Sequence, residues 1–351
     1  MWPTALLLAL AIALAVFVLQ AQAQAQTSAE FEAAVFGLVD EGRVEDLSAA
    51  LEPEENRYLL SLQNDGGDTL LHRASILGQE EVVRLLVEEG ADLSAPNMVS
   101  NGFHALHWAS SNGFEGVARL LLDFGAPIEA RDFNGRTPLH LACERGHRLI
   151  AMLLIERGAS IGEESDDLKT PLHYAAFSGL LPVVQLLLDR GVDVNVKTKW
   201  QDTALHYASS GTSMGHVKII QLLLDRGAAV DARGMQGDTP YHWACWKGLG
   251  AIAELLVRRG ADMHWLGFQE EHDATPFSLG SCETEPLRSK LLVAYESASE
   301  LRRARDELLE AEEEVEAAGE GKRGHCAATG GPCSPQGADS SAAGSHGRDE
   351  L

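Results

Sequence analysis

A chain of 351 residues with 45% apolar content carries enough hydrophobic material for a large core, which excludes wholesale disorder. Its 52 Asp and Glu against 28 Lys and Arg give a net charge of -24, which repels nucleic-acid phosphates and anionic lipid surfaces. A basic or neutral partner is favoured, and nucleic acid is not expected.

In chain order, residues 1–25 come first. The apolar run from Ala5 to Leu19 is followed by Gln-Ala alternation with small residues at Ala21, Ala23 and Ala25, an A-x-A pattern that suits signal peptidase. Cleavage after Ala23 or Ala25 is expected. No Lys or Arg precedes the run, which leaves an uncleaved signal anchor open, and that anchor would put the remainder in the same lumen. No later stretch approaches the length of a membrane span, so none is expected to remain after signal cleavage. Residues 26–64 are expected to form an N-terminal helical cap, with a helix pair from Phe31 to Leu51 around Gly42.

The middle of the chain repeats itself. Thr-Leu-Leu-His or a variant of it ends at His72, His107, His140, His173, His206 and His242, 33 to 36 residues apart. In these copies Thr69, Thr137, Thr170, Thr203 and Thr239 are placed to N-cap a helix, and Pro138, Pro171 and Pro240 sit at its first position, where no amide bond is lost. Runs such as Val82–Leu86 and Val183–Leu187 have helical apolar spacing and predict a second helix per copy. Gly90, Gly125, Gly158, Gly191, Gly227 and Gly260 follow these second helices, as left-handed closing residues do. Asn101-Gly102 and Asn134-Gly135 predict tight turns with positive φ.

These copies resemble the ankyrin-repeat family, over about Asp65 to Met263. The resemblance implies an all-α repeat solenoid of helix-turn-helix units with hairpin loops, six of them across residues 65–274, each leaving an apolar face for its neighbour to cover. It also gives the repeat histidine a structural role, bonded within its own turn and to the adjoining repeat. His147 and His216 are expected to be structural too. Six histidines in register do not make metal sites, because repeats stack about 8–10 Å apart whereas two ligands of one zinc each approach to about 2.1 Å.

Residues 275–297 read as a degenerate capping repeat opening at Thr275-Pro276-Phe277-Ser278. An acidic helix follows at 298–320, then a Gly/Ser/Ala/Pro-rich flexible tail at 321–351. The tail ends in Arg348-Asp349-Glu350-Leu351, which is similar to the KDEL/HDEL retrieval signals with Arg in place of Lys or His, and implies a retrieval receptor and residence in the endoplasmic reticulum lumen. Cys143 and Cys245 follow the alanine of a first helix and read as buried thiols. Cys326 and Cys333 are spaced to form a disulfide within the tail, with an intermolecular bond or free thiols as alternatives. No C-x-x-C, Gly-x-Ser-x-Gly or Walker-type motif occurs, so no catalysis and no cofactor are expected.

What remains is a surface. Family partners meet the hairpin tips and the exposed side of the first helices, and the matching positions here hold Phe103, Phe133, Phe177, Trp200, Met235 and Trp246, with Ile76 and Leu77 nearer the N-terminus. Trp108, Tyr174, Tyr207 and Trp243 directly follow the histidines and read as framework. The insertion Gly211-Thr212-Ser213 is expected to bulge beside the patch. The expected function is a luminal scaffold that binds a protein through the concave face of its third to sixth repeats. The alternatives are a chaperone-like or calcium-buffering protein acting through the acidic helix, and a cytosolic ankyrin adaptor.

Overall fold

A computed structural model of the chain describes residues 29–262 and Arg303. The chain divides into two compact units, Met1–Tyr295 and Glu296–Leu351, and everything that follows concerns the first. The segments expected to be a signal sequence, a degenerate repeat and a tail with Cys326 and Cys333, and Arg348 to Leu351, lie outside the described residues, as does the expected acidic helix apart from Arg303.

The described part opens with helix α1 (29–41), which turns at Gly42 (φ 71°) into α2 (Val44–Leu51). Val35, Val39, Leu47 and Leu51 are buried, while the outer face is polar, as a terminal cap requires. A short 3₁₀ helix (Glu54–Leu60), which no sequence signal marked, buries Leu59 and leads into the array.

Six helix pairs follow. They are α3 (Leu70–Leu77) with α4 (Glu80–Glu88), α5 (Ala105–Asn112) with α6 (Glu115–Asp123), and α7 (Pro138–Glu144) with α8 (Arg148–Glu156). Then come α9 (Pro171–Phe177) with α10 (Leu181–Asp189), α11 (Ala204–Ser209) with α12 (Met214–Asp225), and α13 (Pro240–Trp246) with α14 (Gly250–Arg258). The described regular elements are all helical.

The start of each first helix follows from local chemistry. Thr170 is extended (φ -95°, ψ 167°), so its carbonyl opens the helix while Pro171 occupies the first turn, where its missing N–H costs nothing. The second helices end on left-handed glycines such as Gly90 (φ 93°) and Gly260 (φ 100°). First helices pack in one row from α3 to α13, and second helices pack behind them from α4 to α12. Leu106, Leu139, Leu172 and Leu205, in equivalent places of four successive first helices, are fully buried. Truncating any one to Ala removes a core side chain on the scale of about 2–5 kcal/mol.

The insertion Gly211-Thr212-Ser213 lies in the non-helical link between α11 and α12, with Thr212 and Ser213 exposed. Ser213 caps α12, its hydroxyl 2.7 Å from His216 Nδ1, and α12 has 12 residues where the other second helices have 9. A Ser three residues before a polar partner is a helix start.

Candidate functional site

The hairpins before each first helix carry the outward-facing residues, and the repeat histidines hold these hairpins in place. Thr137 N–H donates to His140 Nδ1 (3.0 Å), with the Thr137 hydroxyl 2.9 Å from the same nitrogen. On the other side of the ring, Nε2 faces the carbonyls of Glu163 (3.0 Å) and Lys169 (3.1 Å) in the hairpin of the next unit. Nδ1 accepts from a backbone N–H and Nε2 faces carbonyl oxygens, so the ring is the neutral Nε2–H tautomer. His173 reaches Val196 O and His206 reaches Asp238 O in the same way. Burial pushes the pKa of His107, His140, His173 and His206 down to about 4, with the carbonyl contacts opposing it. Both ring nitrogens are thus committed to the fold, which leaves none for a metal; among the described residues no metal-ligand cluster occurs. His147 and His216 are structural as well, reaching back to Ser111 O (3.0 Å) and Phe177 O (2.9 Å) of the preceding first helix.

The hairpin tips are tied to one another by backbone bonds. Phe133 N donates to Asn101 O, Asp166 N to Asn134 O, Lys199 N to Asp167 O and Met235 N to Trp200 O, at 2.6–3.0 Å. The tips therefore present their side chains from a linked backbone.

On this ladder stands an aromatic row. Tyr174, Tyr207 and Trp243 are half-buried along the first helices; Tyr207 and Trp243 meet edge to face with centroids 5.6 Å apart, and Phe177 joins Tyr207 at 6.4 Å. Lys169 Nζ lies over Trp200 (5.1 Å), Tyr207 (5.4 Å) and Tyr174 (5.6 Å), a shared cation–π contact. At the end of the row a cavity of about 240 Å³ opens between the fifth and sixth units, lined by Trp200, Asp202, Met235, Gln236, Asp238, Trp243 and Trp246. Burial first, and the neighbouring Asp238 charge second, push the Asp202 carboxyl up to about 6, against the opposing pull of Lys169.

A family model described as ankyrin repeats (3 copies) matches residues 42–132, 106–198 and 172–264, well over half of the chain. The chain belongs to the ankyrin-repeat family. No curated protein matches it at a significant level. Ankyrin repeats are protein-interaction modules, so a protein is the class of partner that the family assigns.

Within this ankyrin array the six residues singled out from sequence fall into different places. Phe177, Trp200, Met235 and Trp246 are 53%, 39%, 61% and 58% exposed, and the last three line one cavity. Phe133 is exposed too, but at the second-to-third tip, folded over Gly102. Phe103 is a correction: it is 5% exposed, its ring edge-on to Trp108 (4.8 Å) and stacked on His107 (5.4 Å). Its carbonyl closes the hairpin on Asn97 N, the place that Arg136, Lys169, Asp202 and Asp238 hold in the later units, and all five are buried or half-buried. Trp243, read as framework, lines the cavity. Cys245 is a second correction: it is disulfide-bonded, not a thiol, and since Cys143 is a free buried cysteine the partner of Cys245 lies outside the described residues. Register places Cys245 in α13 but carries no information on a partner outside the described residues.

Proposed function

We propose that this ankyrin-repeat protein is a scaffold of the endoplasmic reticulum lumen, capturing a partner protein through the hairpin tips and first helices of its third to sixth units. The observation that carries the capture surface is the exposure of Phe177, Trp200, Met235 and Trp246 around one aromatic row at the end of a backbone-linked ladder. Large apolar side chains in one exposed patch are the anchors that dominate interface energetics. Three features support the compartment. The Ala5–Leu19 run with its A-x-A pattern would direct export, the Arg348–Leu351 tetrapeptide would engage a retrieval receptor, and the Cys245 disulfide is of the kind an oxidising lumen maintains.

Topology is the test. An Asn-Gly-Thr acceptor placed near Gly344, in a chain with no acceptor of its own, is expected to be glycosylated and the protein retained. Deleting Arg348 to Leu351 is expected to convert retention into secretion. An unglycosylated product returns the array to the cytosol and removes the luminal reading. The face is tested separately: Trp246→Ala with Phe177→Ala is expected to abolish partner cross-linking while far-UV circular dichroism stays that of the folded array. Undiminished cross-linking would remove this face.

A further inference from the structure

The cavity between the fifth and sixth units carries chemistry that an apolar partner alone does not use. Building on the capture face above, we propose that this cavity is the subsite for one arginine side chain of the partner protein, its guanidinium stacked on the tryptophans and hydrogen-bonded to Asp202 and Asp238.

Two carboxylates close on one point. A Cβ built at Gly234 would lie 2.6 Å from Asp202 Oδ1 and 2.7 Å from Asp238 Oδ1. The residue eight before the repeat histidine caps its turn with a side chain elsewhere: Asp132 Oδ1 accepts from Arg136 N (2.8 Å), and Thr198 Oγ1 from Asp202 N (3.2 Å). Gly234 has no such side chain, so the carboxylates approach its backbone. Trp243 Nε1–H donates to Asp238 Oδ2. Asp202 is 7% exposed, lines the cavity, and makes no hydrogen bond or ion pair through its carboxylate to any described residue. Asp202 feels the Lys169 charge but makes no direct pair with it, and a cation delivered between the two acids would offset their mutual repulsion and the desolvation of Asp202.

Register explains why the cation comes from outside. Four residues before their repeat histidines, the third to sixth units hold Arg136, Lys169, Asp202 and Asp238. Arg136 pairs with Asp132 (2.8 Å) and Glu144 (2.9 Å), and Lys169 spans three rings of the aromatic row. The row continues to Trp243, but the register position that supplied a cation now supplies an acid. Lys247, the cation on α13's C-terminal side, lies over Trp246 at 4.5 Å and does not pair with either carboxylate. Flat indoles beside two converging oxygens suit a guanidinium, which stacks on rings and donates in its own plane to two carboxylates at once; an ammonium is a compact, strongly hydrated point charge.

A bead library of short random peptides, screened with the full chain, provides the test. Selected peptides are expected to carry Arg at one fixed position. Replacing that Arg with its uncharged isostere citrulline is expected to weaken binding roughly tenfold or more. Asp202→Asn with Asp238→Asn is expected to abolish the Arg preference. Met235→Lys leaves both acids in place, supplies an internal cation as Lys169 does one unit earlier, and is expected to suppress the same preference. Peptides that bind through Trp246 and Phe177 with no Arg preference, or with Lys in its place, overturn the arginine subsite and leave the face standing. Peptide binding that survives Trp246→Ala with Phe177→Ala removes the face, and the subsite with it.

Discussion

Leu168 and Gln201 occupy the turn position that glycine fills in the other units. Five residues before the repeat histidine stand Gly67, Gly102, Gly135, Leu168, Gln201 and Gly237, all with positive φ, including 57° for Leu168 and 64° for Gln201. A side chain in the left-handed region costs roughly 1–2 kcal/mol, and glycine there sacrifices part of that in unfolded-chain entropy. Leu168→Gly is therefore expected to stabilise the array by about 0.5–1 kcal/mol, seen as a higher urea midpoint at unchanged slope. Gly135→Ala is the counterpart: its Cβ would sit 2.4 Å from Asp166 Oδ1 and 3.0 Å from Asp166 N, and a lower midpoint is expected. If Leu168→Gly lowered the midpoint, the Leu168 side chain, 42% exposed, would have to be contributing packing that outweighs its strain.

At the scale of the element, what could be read in advance was whatever repeats. Thr-Pro before a histidine, apolar residues at helical spacing and a closing glycine each act within one unit, so six copies placed α3 to α14 without reference to tertiary contacts. Contacts between units were less legible. The cavity needs Trp200 and Asp202 from one hairpin, Met235 and Asp238 from the next, and Trp243 and Trp246 from α13. Three of those residues were marked by register as exposed positions. The two aspartates and Trp243 were not, because nothing in a single repeat shows that Gly234 lets the carboxylates converge. Phe103 was misjudged because the place four before the repeat histidine is buried or half-buried across the array, as at Arg136, Lys169, Asp202 and Asp238, which no single copy of the repeat reveals. Leu168 and Gln201 went unmarked because only glycine advertises a left-handed turn, and the 3₁₀ turn at Glu54–Leu60 because it has neither period nor cap motif.

Across the whole array the repeat histidines couple stability to acidity. His107, His140, His173 and His206 are folded with pKa values near 4, whereas an unfolded histidine titrates near about 6.5. Between those values the unfolded chain binds up to one more proton per histidine, so stability is fully present above the unfolded pKa and is lost as pH falls toward 4, by about 1.4 kcal/mol per pH unit for each ring. Asp202 runs the other way: its carboxyl, raised to about 6, binds a proton in the folded state before the unfolded one, and so offsets roughly one histidine across part of the same window. The added proton goes to Nδ1 and removes the acceptor of the threonine N–H in the ring's own turn, so the turn that opens each first helix is loosened while Nε2–H still faces the next unit. The urea midpoint is expected to fall steeply from about pH 6.5 to about pH 5, with an excess proton uptake on unfolding of roughly three. A midpoint that stays level through that window would mean that the rings are not held neutral by burial, and the tautomer assigned to the repeat histidines would go with it.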